Sequence, residues 1–286
     1  MKGGNIYMNS RYEDLINHLI KYGETSELIK AEVLIGSQSR ESNGADEYSD
    51  IDVILFVSDI DFFINSDEWI NFLGKYYISF VERTVSGGME RRVFFEDAID
   101  ADFIFLQAEN ISRIYELSEI VSRSYKMLLD KTNFTDIIKH VAESGKPFAI
   151  PLENEFQNLI SEFWFHVIWS AKKVMRGERW SAITCVDGHM KEMLLKMIEY
   201  YSHALHGTDY DTWHSGRFIE QWAEQWVVKE FQNIYAGYSD KDIMKATVTT
   251  MNLFRKVSVE TADKWNYQYP VVSDKYATEW FNNIYL

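Results

Sequence analysis

A short apolar strand, a Gly-Ser turn and a second apolar strand opening on two alternate aspartates constrain this chain more than any other feature. Ala31–Ile35 reads as the first strand, Gly36-Ser37 as the turn, and Ser49-Asp50-Ile51-Asp52 leads into the near-continuous apolar run Asp52–Val57. A run without polar alternation is the pattern of a strand covered on both faces. Residues two apart on a strand point to the same face, so Asp50 and Asp52 stand side by side. Two such carboxylates repel each other unless a cation lies between them. A pair of Mg²⁺ ions suits this oxygen-only arrangement and the chemistry of phosphoryl or nucleotidyl transfer. Gly36 lets the backbone approach a phosphate closely, and Ser37 adds a hydroxyl and an N–H donor. A lone Asp-x-Asp is usually a pair of solvated acids at a strand start. The Gly-Ser turn upstream and the apolar strand downstream give this one its catalytic reading.

Such a site calls for a third acid from a neighbouring strand. Asp100-Ala101-Asp102 precedes Phe103-Ile104-Phe105-Leu106. Asp102 is the preferred ligand, because it borders the apolar strand as Asp52 does, whereas Asp100 reads as a solvated loop acid. A carboxylate at Asp102 can also accept the proton of an attacking hydroxyl. A nucleoside triphosphate needs cations as well. The candidates are Arg40 after the Gly-Ser turn, Lys131 after the apolar run ending in Asp130, and the i, i+4 pair Lys172 and Arg176.

The net charge of -15 provides no basic footprint for a phosphate backbone, so nucleic acid is not an expected partner. An acidic surface suits a small cationic acceptor. No apolar run is long enough to span a membrane. The amino-terminal stretch MKGGNIYMNSRYEDL lacks the apolar core of a signal peptide. The single cysteine, Cys185, forms no internal disulfide and reads as a small core residue. A cytoplasmic location is therefore expected. His203, His206 and His214 have no zinc-ligand spacing.

Along the chain, Tyr12–Tyr22 has helical apolar spacing, and a further helix opens at Asp67 with Ser66 as its cap. Gly87-Gly88 marks a turn, and Arg91–Glu96 and Ala101–Leu106 read as a strand pair. Ile111–Ser122 is a helix candidate, and Lys126–Asp130 a strand able to close the sheet. Pro147 and Pro151 mark a domain boundary, giving expected domains of residues 1–146 and 147–286. The second is expected to be helical, with segments at Glu155–Arg176, Trp180–His203, Arg217–Tyr235 and Lys241–Lys264. The fold class expected is α+β: a mixed sheet with helices, followed by a helical bundle.

Further segments carry a resemblance. They are Gly36-Ser37 with Asp46-Glu47 and Asp50-x-Asp52, then Phe56-Val57-Ser58-Asp59-Ile60 and Ser66-Asp67-Glu68-Trp69. Asp102, Leu129-Asp130-Lys131, Glu162-Phe163-Trp164 and Lys172 with Arg176 come next. Leu253-Phe254-Arg255-x-Val257-Ser258 and Tyr267-x-Tyr269-Pro270 complete the set. Together they resemble the aminoglycoside 6-adenylyltransferases, or streptomycin adenylyltransferases, of the nucleotidyltransferase superfamily that includes polymerase β. The family has Arg directly after Gly-Ser; this chain has Gln38, with Arg40 two residues later. The resemblance implies a polymerase-β-like domain, a helical substrate-binding domain and an active site between them. It implies ATP as co-substrate, Mg²⁺ held by Asp50, Asp52 and Asp102, and a hydroxyl of streptomycin as acceptor, with antibiotic resistance as the outcome. Streptomycin's guanidinium groups would pair with an acid of the helical domain, for which Glu162 is the candidate. A lincosamide acceptor is the nearest alternative. A non-catalytic nucleotide-binding protein is a second alternative, against which the intact carboxylates argue.

Overall fold

The computed structural model describes residues 10–40, 45–46, 48–84, 87–145 and 148–285. The leader reading of the first nine residues, the Glu47 of the motif and the Pro147 of the boundary lie outside the described residues. The chain divides into two compact units, Met1–Lys146 and Pro147–Leu286. The first is a mixed sheet with helices and the second is helical, so the architecture is α+β.

In the first unit, α1 (Ser10–Thr25) leads into β1 (Ile29–Ile35) and β2 (Ile51–Val57). Two short helices, α2 (Ile60–Asn65) and α3 (Glu68–Leu73), precede the hairpin of β3 (Tyr76–Arg83) and β4 (Met89–Phe95). Then come β5 (Asp100–Gln107), α4 (Ser118–Val121), β6 (Tyr125–Asp130) and α5 (Thr135–Glu143). The strand order is β3-β4-β5-β2-β1-β6. β2 and β5 run parallel and every other neighbouring pair is antiparallel.

The central strand β2 is apolar because both of its faces are covered. Ile51, Val53, Leu55 and Val57 pack with α1, α2 and α3, among them Phe63 and Trp69. Ile54 and Phe56 pack on the other side with Ile104 and Leu106 of β5 and with Ile138 and Val141 of α5. Each such side chain contributes about 1.5–3 kcal/mol on burial. Asp52 and Asp102 follow the alternation of this second face, at the end where the apolar packing stops.

Two local expectations change. The edge strand β3 carries mostly exposed side chains with no apolar alternation, which is why periodicity misses it. The helix expected over Ile111–Ser122 is a 3₁₀ segment, Ala108–Leu117, kinked at Asn110 and followed by the single turn α4.

The second unit holds α6 (Glu153–Met175), α7 (Arg179–Thr184), α8 (Met190–His206), α9 (Ile219–Trp222), α10 (Gln225–Ile234), α11 (Asp240–Trp265) and α12 (Val271–Tyr285). Its core centres on Phe163 of α6 stacked on Phe254 of α11, with ring centroids 3.7 Å apart. The α11 helix is capped at its start by Ser239, whose hydroxyl accepts the Asp242 N–H at 3.1 Å. It ends on Asn266 in the left-handed conformation. The single helix expected over Arg217–Tyr235 is instead two, because Ala223 and Glu224 are extended between α9 and α10. Between α7 and α8 the chain makes one π-helical turn, Cys185–His189. Among the described residues no helix is long and apolar enough to cross a membrane.

Candidate active site

Strand register builds the acidic cluster. In the parallel β2–β5 pair, Asp52 lies directly beside Asp102. Asp50 is two residues before Asp52, just ahead of β2, and Asp100 opens β5. Oxygens of Asp50, Asp52 and Asp102 all lie within 4.8 Å of one another. In the antiparallel β1–β2 pair, Ile35 lies opposite Asp52. The next residue, Gly36, therefore turns at the same end of the sheet.

Gly36 has φ +71°, a conformation that L side chains rarely adopt. A Cβ placed there would meet Asp52 Oδ2 at 2.2 Å. Both the backbone angle and the close approach thus require glycine. The turn continues as a 3₁₀ segment, Ser37–Ser39, tied by Ser39 Oγ donating to Gly36 O at 2.9 Å. Ser37 Oγ is buried and has no hydrogen-bond partner among the described residues. Arg40 ends the turn with extended backbone.

Acid crowding has electrostatic consequences. Burial pushes the Asp102 carboxyl up to about 6, Arg92 opposes this, and Glu90, Asp50 and Asp100 add to it. Burial also raises Asp100, with a further push from Asp50. Asp100 is therefore a half-buried strand residue that feels this cluster's charge, where the sequence suggested a solvated loop acid. Arg92 lies opposite Asp102 across the β4–β5 pair, with Nε 3.4 Å from Asp102 Oδ2. It is shared with Glu82 and Glu90. Sequence reading missed Arg92 because its proximity depends on the register of a hairpin, not on any local motif.

The donor set fits a divalent cation. Three carboxylates converge, a glycine lets one of them, Asp52, pack directly against the turn, and a buried hydroxyl next to that glycine lacks a partner among the described residues. Lys131 is not brought to this place. β6 runs antiparallel to β1, so Tyr125 lies opposite Ile35 while Lys131 N–H donates to Lys30 O at 2.9 Å. That is the far end of the sheet, about 17 Å along the strand at the usual rise per residue. Lys131 Nζ there donates to the carbonyls of Gly23 and Ser26 at the end of α1.

The streptomycin adenylyltransferase family model matches residues 8–284. The chain belongs to the streptomycin adenylyltransferase family. An aminoglycoside 6-adenylyltransferase of Campylobacter jejuni is 25% identical over 92% of this chain and 92% of its own length. One of Staphylococcus aureus is 24% identical over 90% of this chain and 93% of its own. A crystal structure of an aminoglycoside 6-adenyltransferase from Bacillus subtilis aligns with a TM-score of 0.47 at 20% identity, over 96% of this chain and 97% of that one. As a member of this adenylyltransferase family, the chain is a nucleotidyltransferase.

In this member of the family, the segments Arg255-x-Val257-Ser258 and Tyr267-x-Tyr269-Pro270 build scaffold. Arg255 forms a two-pronged ion pair with Asp274 of α12, at 2.7 and 2.6 Å. Tyr269 donates to Asp274 at 2.8 Å, and Trp164 Nε1 donates to Tyr269 at 3.1 Å. The network joins α6, α11 and α12. Lys172 and Arg176 stand one turn apart at the end of α6. Lys172 Nζ lies 5.5 Å from the Trp280 ring centre, and Arg176 pairs with Glu178. Glu162 lies earlier on α6 and lines an open cleft of about 800 Å³ within the second unit, together with Pro151, Glu155, Asn158, Lys196 and Tyr200.

Proposed function

We propose that this enzyme transfers AMP from ATP to a hydroxyl of a small cationic aminoglycoside, streptomycin foremost, in the cytoplasm, and thereby confers resistance. The observation that carries the reading is the convergence of Asp50, Asp52 and Asp102 beside Gly36 in a member of this family. The names of the aminoglycoside-modifying relatives support the acceptor class.

In this reading Asp50, Asp52 and Asp102 hold Mg²⁺, which when bound neutralises charge on the triphosphate and its leaving group. The acceptor oxygen forms a bond to the α-phosphorus as the bond to the bridging oxygen breaks and pyrophosphate leaves. The acceptor's proton passes to the Asp102 carboxylate, which stands beside the attacking hydroxyl in this reading. Gly36 admits the phosphates to the backbone, and Ser37 Oγ supplies them a donor. Arg40, Lys172 and Arg176 are the phosphate cations of this reading; Lys131, spent on α1, is not. Glu162 pairs with a guanidinium of the acceptor. Partly exposed pairs of this kind are screened by salt, so acceptor affinity falls as ionic strength rises.

The test is incubation with ATP and Mg²⁺ across a panel of aminoglycosides and lincosamides, with products read by mass. An AMP adduct of streptomycin is expected. An adduct of a lincosamide alone would overturn the acceptor, and no adduct or pyrophosphate with any compound would overturn the activity.

A further inference from the structure

A second group of ligand-type side chains lies wholly within the helical unit. Glu162 and His166 are i, i+4 on α6 and share one face of that helix. His189 ends the π-helical turn. One ligand atom from each of the three residues lies within 4.8 Å of the others. His189 Nε2 is 3.3 Å from Glu162 Oε1. The His166 and His189 rings sit 4.3 Å apart, near perpendicular at 74°.

We propose that Glu162, His166 and His189 form a site for a divalent transition metal, with Zn²⁺ the best fit. Two imidazoles and one carboxylate are a borderline-soft donor set that suits Zn²⁺ far better than Mg²⁺. Tetrahedral ligands about 2.0–2.2 Å from an ion lie about 3.4 Å apart, the spacing already present between His189 and Glu162. The His166 ring is pre-set for this role. Its Nδ1 lies 2.9 Å from the Glu162 carbonyl oxygen, so the proton sits on Nδ1 and the Nε2 lone pair is left for the ion. A backbone carbonyl holding the other ring nitrogen is the usual support of a metal-bound histidine.

The π turn provides the independent argument. One extra residue in a helical turn rotates the downstream helix by about 100°, and such turns are frequent at functional positions. This turn is pinned from outside. Asp187 accepts the Ala236 N–H at 3.1 Å, and the buried Lys191 Nζ donates to Val186 O and to Thr250 Oγ1, both at 2.9 Å. The turn is thus held in the shape that places His189 against α6. Glu162 and His189 are each 42% exposed, so three protein ligands leave an open coordination position for water or an acceptor group. Because Glu162 also lines the cleft, an ion here and a cationic acceptor would compete for one carboxylate. The metal site itself does not depend on which acceptor the enzyme uses.

Calorimetric titration of the full chain with Zn²⁺, in excess Mg²⁺, tests the site without reference to activity. One Zn²⁺ per chain is expected, with affinity falling at least about tenfold in both His166→Gln and His189→Gln. The same affinity is expected to survive in Asp52→Asn. Zn²⁺ should also shift the imidazole C–H resonances of His166 and His189 in the unmodified protein, a readout that needs no variant to fold. Unchanged Zn²⁺ affinity in both histidine variants, loss of the site in Asp52→Asn, or unmoved histidine resonances would overturn the proposal.

Discussion

Among the described residues two clusters of ligand-type side chains converge, and they are built differently. In the first unit three aspartates are set by strand register: a period of two brings Asp50 and Asp52 to one face, and parallel pairing puts Asp102 beside Asp52. In the second unit Glu162 and His166 are set by a helical period, but His189 arrives through a π turn that breaks that period. The sheet supports oxygen-only ligands beside a glycine. The helices support a mixed nitrogen and oxygen set beside a cleft. The comparison teaches that regular backbone makes a site readable from spacing, while a local irregularity hides one.

If the sheet cluster does the chemistry, the largest effect belongs to Asp52→Asn. It removes a ligand charge and little volume, so transfer should fall by about a thousandfold. Its melting temperature should hold or rise, because the variant takes one negative charge out of a crowd of acids. Turnover and thermal unfolding on the same preparation check this; a folded Asp52→Asn with near-normal turnover returns the cluster to solvated acids.

Gly36→Ala should come next. The added Cβ cannot coexist with Asp52 in place and strains a backbone at φ +71°. A loss of about a hundredfold in transfer is expected from a carboxylate displaced by about an ångström. Stability should fall by about 1–3 kcal/mol. Kinetics that match the parent would mean Asp52 is not needed in its observed position.

Much of this was legible before the structure. The strand β2, the pair Asp50 and Asp52, and Asp102 on a neighbouring strand come from apolar runs and alternation alone. What was not legible depends on chain direction and pairing. Lys131 sits one residue after β6, and only the antiparallel course of that strand carries it away from the aspartates. Arg92 meets Asp102 through the β4–β5 register. Asp100 is a half-buried strand residue because β5 starts earlier than its apolar residues suggest. His189 depends on the π turn, which no periodicity announces. The motif segments around Arg255 and Tyr269 were legible as family features, but their work as scaffold shows only in the pairing with Asp274.

That last point separates chemistry from support. Asp274→Asn should leave nucleotide and metal affinity unchanged while lowering stability by about 2 kcal/mol, since it breaks a largely buried pair with Arg255 and weakens the acceptor for Tyr269. Denaturant unfolding read beside turnover checks it. A loss of activity without loss of stability would move this network into the site.

A buried acid elsewhere in the sheet unit sharpens the contrast further. Glu32 is fully buried, its two oxygens have no hydrogen-bond partner among the described residues, and burial holds its carboxyl neutral up to about 8 against an ordinary 4.5. The unfolded chain sheds this proton near 4.5 and the folded chain keeps it. The stability it contributes is therefore complete below that pH and is lost as pH rises toward about 8. Glu32→Gln should flatten this slope, which is at most about 5 kcal/mol between pH 4.5 and about 8, and should gain on the parent as the pH becomes alkaline. Unfolding free energies across the interval give the slope directly; equal slopes in parent and variant would place a charged Glu32 inside the fold.

The central claim is that the end of the sheet, and not the acidic surface at large, holds the divalent cation for nucleotidyl transfer. Electron paramagnetic resonance of Mn²⁺, titrated into the full chain with a non-hydrolysable ATP analogue, counts bound ions without turnover. The account predicts bound Mn²⁺ in the parent and at least about a tenfold loss of affinity in Asp102→Asn. Parent-like Mn²⁺ binding in Asp102→Asn would contradict it.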